Sequence, residues 1–563
     1  MKFSDFPYVR PDLEHIKKDV EGLLALIGTH QPFEVELDAI KKFFDVSDHL
    51  MTMAQLVGVR NSIDTNDKFY EDEQNFFDEN MPHLKAFENI FSEKILTSSN
   101  RPKLEEVFGT LIFQKAELAK KTFKPEIISD LQQENKLNTE YGKLQASAKI
   151  EFQGKIYNLS QMGPFAQSKD REIRHSAQLA VSKFFAENEA QFDRIYDDMV
   201  KVRHQIALKL GYENFIQLAY DRFGRTDYDA KDVKSYRDQI FEDIVPLVVE
   251  LTQRKGKRIG IENLKSYDLA LNFLSGNPAP KGDRAWQVEV AQKMYEEMSP
   301  ETGEFINFMI DHELLDLDAK PGKQGGGYCT YIPDYRAPFI FANFNGTSHD
   351  VDVLTHEAGH AFQVYSSRDL IPEYRWPTLE ACEIHSMSME FLAWPWIGNF
   401  FKEDTDKYKF SHLTGAVQFL PYGVLVDEYQ HFVYEKPNMT PDERKALWRR
   451  LEKKYVPFKD YDDDAFLEKG TFWFRQGHIF SAPFYYIDYT LAQVCAFQYW
   501  ILFQQDPKKA LKSYIDLCKL GGSMSFTGLL KSANLKNPFV KGTVKEIVKP
   551  IRAYLDAIDD AKL

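Results

Sequence analysis

From about Leu13 to Leu274, apolar residues recur at spacings of three and four among many charged ones. That period leaves a chain little choice but to form helices with one apolar stripe and a solvated opposite face. The stretches "LEHIKKDVEGLLALI" and "KDVKSYRDQIFEDIVPLVVEL" carry it clearly, and Pro and Gly are rare inside them. Breaks are expected near "TSSNRPK" and "QMGPFAQSKD". No fixed repeat period is present, so a regular solenoid is not supported.

The pattern changes after "SGNPAPKGD" at 275–283, a turn-forming connector. "LDLDAKPGKQGGGYC" leads into "YCTYIPDYRAPFIFANFNGTSHD", rich in aromatic and β-branched residues and bounded by Pro, Asn and Gly. This is the strand candidate of the chain. A helix is expected to follow near Ser348 or Asp350, either of which could cap it. Further on, "NMTPDERKALWRRLEKKY" predicts a helix with Thr440 as cap, Pro441 at its first position and Glu443 completing a capping box.

Composition narrows the function classes. With 563 residues, the chain is long enough for two domains or one large helical body. Its 70 basic against 85 acidic side chains give a formal charge of −15, a poor basis for binding phosphate backbones or anionic membranes. The four cysteines are far apart and form no CxxC pair, as expected of reduced thiols. The first twenty residues hold charge throughout, with no apolar signal core, and no run of about 18 apolar residues occurs. A soluble cytoplasmic protein is the expectation, with no nucleic-acid or membrane partner and the oligomeric state left open.

The chemistry concentrates in "VLTHEAGHAFQVY", residues 353–365. Four residues apart on a helix, His356 and His360 share a face and can direct two imidazole nitrogens at one metal ion. Glu357 stands beside them, where it can take a proton from an attacking water. Ala358, Gly359 and Ala361 are small, so another backbone can come close. A merely packed helix could carry the same spacing; the preceding strand and the capped start favour the metal site. A catalytic zinc needs a third protein ligand. "PTLEACEIHSMSMEFLAW" offers Glu380, Glu383 and Glu390 on one stripe of a segment too apolar to be wholly solvated. Spacing does not choose between Glu380 and Glu383, and His385 projects to another side.

HEAGH followed about two dozen residues later by E-x-x-S-x-x-x-E resembles the thimet oligopeptidase and oligoendopeptidase F family of zinc peptidases. The nearest likeness is to bacterial oligoendopeptidases of the Pz-peptidase type. The resemblance makes Glu383 the third ligand, with Glu390 behind it as support for a ligating imidazole. In "GHIFSAPFYYIDYTLAQ" it implies that His478, Tyr486 and Tyr489 are donors to the transition state and the substrate backbone, with Tyr485 a competitor among the tyrosines. Ile487 stands where relatives often carry tyrosine.

The reading is a mainly α, elongated multi-helix zincin with a small sheet beside the HExxH helix, and the resemblance implies a deep central channel between its N-terminal half and its catalytic part. Residues 1–200 would cover the channel and 201–563 would carry one Zn2+ per chain. The expected activity is endopeptidase cleavage of short unstructured peptides. An HExxH zinc carboxypeptidase or a non-enzymatic helical scaffold are the alternatives. The strand "APFIFANFNG" is expected to be a sheet edge along which a peptide adds, with Gly325 to Gly327 as a loop over the cleft.

Overall fold

Residues 1–28, 30–320 and 322–563 are described by a computed structural model. Helices dominate it, as the apolar period requires. Those that frame the site are α1 (Phe33–Ile63) and α2 (Lys68–Thr97), followed by three strands, β1 (Leu315–Asp318), β2 (Tyr328–Ile332) and β3 (Ala337–Phe344). Then come α3 (Ser348–Ser366), α4 (Leu379–Leu392), α5 (Thr405–Glu435), α6 (Pro441–Tyr455) and α7 (Tyr486–Gln505). Among the described residues, no helix is long and apolar enough to cross a membrane.

Local chemistry sets several of these ends. Asp67 caps α2 by accepting from the amides of Phe69 and Tyr70. On α6 the capping box is formed: the Thr440 hydroxyl accepts from the Glu443 amide at 3.3 Å, and the Glu443 carboxylate accepts from the Thr440 amide at 2.7 Å. α3 differs from expectation. Neither Ser348 nor Asp350 is its cap; the helix begins at Ser348, and Asp350, already inside the first turn, reaches back to accept from the amides of Asn345 and Gly346, both at 2.8 Å. A buried carboxylate there ties the strand exit to the positive end of the helix.

Two strand features escape the sequence pattern. "EFQGKIY" forms a hairpin, Ile150–Phe152 with Lys155–Tyr157, turning through Gln153 and Gly154, both at positive φ. β1 is only four residues long and pairs parallel to β3. The strand order β1-β3-β2 therefore puts "APFIFANF" in the middle of the sheet. The expected edge role belongs instead to β2, antiparallel to β3. Along β2 runs a cavity of about 490 Å³ shared with α1, where Thr330 donates to Gln55 at 2.7 Å.

A large core cluster runs from Leu56 on α1 through Tyr196, Phe339, Leu354 and Ile384 to Leu425 and Ile487. A second cluster joins α1 and α2 to Tyr374 in the turn between α3 and α4. The Tyr374 hydroxyl donates to the Phe108 carbonyl at 2.8 Å and accepts from the Ile112 amide at 2.9 Å. Arg375 meets Asp48 of α1 through two 2.7 Å contacts. The N-terminal helices are thus fastened to the turn that sets α4 against α3.

α3 and α4 touch at a glycine. A Cβ on Gly359 would stand 2.6 Å from the His385 carbonyl oxygen and from the Ser386 Cα, both backbone atoms of α4. No side chain can move aside to make room. Gly359→Ala is expected to cost about 1–3 kcal/mol in urea denaturation and to weaken metal binding with it. Unchanged stability would mean that the two helices are free to separate.

Candidate metal centre

α3 carries His356, Glu357 and His360 to the face it turns toward α4, and α4 answers with Glu383. One Glu383 oxygen, Oε2, lies 3.3 Å from His356 Nε2 and 3.4 Å from His360 Nε2. The two imidazole rings stand nearly perpendicular, at 81°. Ligands held about 2.0–2.2 Å from a tetrahedral zinc are roughly 3.3–3.5 Å from one another. The two nitrogens and the oxygen therefore have the spacing and donor chemistry of three corners of such a site.

Glu383 and His356 are each oriented by further side chains. Glu383 Oε2 also accepts from the Ser386 hydroxyl at 2.8 Å, and its Oε1 accepts from the Tyr485 hydroxyl at 2.9 Å. His356 turns Nδ1 to Glu390 Oε1 at 2.7 Å. The other Glu390 oxygen meets His412 Nε2 of α5, also at 2.7 Å, and Trp394 donates its indole N–H to His412 Nδ1 at 3.2 Å. Burial pushes the Glu390 carboxyl up, but His356 and His412 outweigh it and hold it at about 2. A carboxylate so held fixes the tautomer that leaves His356 Nε2 free as a donor atom.

Glu357 is buried beside this group, and among the described residues it has no hydrogen-bonded side-chain partner. Burial raises its carboxyl above the usual range, against the pull of His356 and His360. Gly327 lies alongside: a Cβ there would be 3.7 Å from Glu357 Oε1. The glycine loop is held at this place by Asn343, whose amide donates to the carbonyls of Gln324 and Gly326.

The competitors for the third position have other surroundings. Glu380 is buried and faces the Arg225 guanidinium, which is paired with Asp488 at 2.6 Å. His385 packs against Tyr514 and accepts from the Cys518 thiol, and burial lowers its imidazole to about 3.

His478 comes to the same region from the far end of the chain. Its ring packs against those of Tyr485, Tyr486 and Tyr489, with centroids 5.7, 4.9 and 5.7 Å away. The Tyr422 hydroxyl donates to Gln476 Oε1 at 2.7 Å, which turns the Gln476 amide nitrogen toward His478 Nδ1 at 2.9 Å. This leaves the proton on His478 Nε2, and burial lowers the imidazole so that it stays neutral. Of the tyrosines, Tyr485 is the one bonded to Glu383, while Tyr486 at the start of α7 and Tyr489 one turn on lean on the histidine.

The profile of peptidase family M3 matches residues 165–549, and that of the peptidase M3 N-terminal domain matches residues 3–123. The chain belongs to peptidase family M3. An oligoendopeptidase F homolog of Borreliella burgdorferi is 23% identical to this M3 chain over 393 residues, 66% of this chain and 64% of that protein. The match thus spans less than two thirds of that relative. The crystal structure of Pz peptidase A with an inhibitor is 54% identical, with a TM-score of 0.96 over the whole of both chains. Oligoendopeptidase-F of Enterococcus faecium, 16% identical, shares the fold at a TM-score of 0.66 over 98% of each chain.

His412 is the member of this M3 centre that sequence reading passes over. It is one of two histidines in a 31-residue helix, and nothing local marks it. Its only signal is Tyr408 one turn earlier, whose ring stacks on it at 5.4 Å. Glu390→Gln keeps the shape but removes the charge that serves both histidines. Metal affinity measured by chelator competition is expected to fall about 10–100-fold; an unchanged affinity would show that Glu390 does not support His356.

Proposed function

We propose that this chain is a zinc-dependent endopeptidase that hydrolyses internal bonds of short unstructured peptides. What carries the reading is the spacing of His356 Nε2, His360 Nε2 and Glu383 Oε2, with Glu357 standing free beside them. His356, His360 and Glu383 would hold one zinc ion. When bound, the ion supplies Lewis acidity that brings the pKa of a water toward neutrality and polarises a carbonyl.

The remaining steps belong to the protein. Glu357 takes a proton from the attacking water and returns it to the leaving amine; its raised carboxyl suits a group that must first accept and then donate. His478, with its Nε2 proton presented, and Tyr486 and Tyr489 donate to the oxyanion and the substrate backbone. Tyr485 orients Glu383. An extended peptide pairs with the free edge of β2, which the order β1-β3-β2 leaves open. Backbone pairing is nearly blind to side chains and suits peptides of varied sequence. Residues 1–200 cover this channel, and residues 201–563 hold the chemistry.

Glu357→Gln is expected to retain stoichiometric zinc while kcat falls about 10²–10⁴-fold; a fully active variant would remove Glu357 as the base. Cleavage of a peptide blocked at both ends, abolished by chelator and restored by zinc, distinguishes an endopeptidase from an enzyme that needs a free terminus. Product masses read the outcome.

A further inference from the structure

A second cavity, of about 500 Å³, lies behind His478 and is lined by Lys255, Gln418, Tyr422, Lys459, Phe472 and Arg475. Its three cations are poorly compensated. Lys255 is only 4% exposed, and among the described residues its ammonium has a single partner, the Leu269 carbonyl at 2.6 Å. Lys459 reaches Glu452 at 3.2 Å, but that carboxylate also accepts from Arg449 and from the Tyr461 hydroxyl. Among the described residues, Arg475 has no carboxylate within 4.0 Å; its guanidinium lies across Phe185 and Phe472. The Lys459 ammonium lies 3.2 Å from the centroid of the same Phe472 ring.

Buried cations cost several kcal/mol each unless a counter-charge offsets them. Burial pulls Lys255 down to about 7 and Lys459 to about 8. Methionine would fill the same space without the cost of a buried charge, losing only the donor to the Leu269 carbonyl. Leu269, Val456, Phe458 and Phe472 give the wall its apolar and aromatic part, with Thr252, Gln418 and Gln476 as neutral polar groups, so charge and apolar surface meet in one chamber.

We propose that this cavity binds an organic anion, a carboxylate or phosphate monoester carried on an apolar body, held by Lys255, Lys459 and Arg475. Cationic walls rule out a metal ion or a protonated amine as occupant. The site borders the cleft: Gln476 lines the cavity and also bonds His478 Nδ1. An occupant therefore lies beside the hydrogen-bonded pair that orients that imidazole.

The test is calorimetric titration of the purified, zinc-loaded protein with phenyl phosphate. Saturable one-to-one binding is expected, weakened about tenfold or more in Lys255→Met and in Lys459→Met, as the loss of one charge-assisted contact requires. Thermal melting accompanies each variant, and Lys255→Met is expected to be at least as stable as the parent. Inorganic phosphate should bind more weakly, since it buries no apolar surface. Displacement by N-acetylphenylalanine, and not by its amide, would identify a carboxylate such as a peptide C-terminus; failure of both to displace would identify a phosphate ester. No saturable binding at millimolar phenyl phosphate, or binding undiminished in both variants, overturns the site. Because the readout is binding, it is independent of whether the chain cleaves peptides.

Discussion

Two glutamates set against three imidazoles, Glu383 buried and Glu390 half-buried, are the interaction on which the rest of the structure turns. Glu383 and Glu390 lie one and three turns along α4, and both oxygens of Glu390 are taken by His356 and His412. Charges this far from water cost several kcal/mol each unless matched at close range. That demand sets tight tolerances on α3, α4 and α5, which must arrive in register. The means are visible: Gly359 lets α3 lie directly on the α4 backbone, and the turn between them is clamped to the N-terminal helices through Tyr374 and Arg375. The apolar faces of α4 and α7 close the back of the site.

What the sequence reveals and what it hides follow from the range of each interaction. Helix positions, the capping box at Thr440 and the pairing of His356 with His360 depend on residues within a turn of one another, and all are readable. Glu380 and Glu383 share a stripe and a degree of burial, so spacing alone leaves them equal. Arg225 and Asp488, more than a hundred residues distant on either side, give Glu380 a separate environment. Glu383 stood out only through its resemblance to known peptidases. β1 and the edge role of β2 escape for the same reason, because strand order is settled by non-local pairing. A single histidine such as His412 carries no local mark at all.

The β2 edge and the basic chamber behind His478 sit on opposite sides of one problem. On the proposed reading the first offers backbone partners to an extended chain, which would give breadth. The second offers buried positive charge in an acidic protein, which gives selectivity of another kind. The Tyr422–Gln476–His478 relay ties the chamber to the imidazole of His478.

The most direct measurement is anomalous X-ray diffraction from crystals of the zinc-loaded protein, collected on both sides of the zinc absorption edge. The account predicts one strong peak per chain, about 2.0–2.2 Å from His356 Nε2, His360 Nε2 and a Glu383 oxygen. A fully occupied zinc bound by other residues, or Glu383 turned away from the peak, would contradict it.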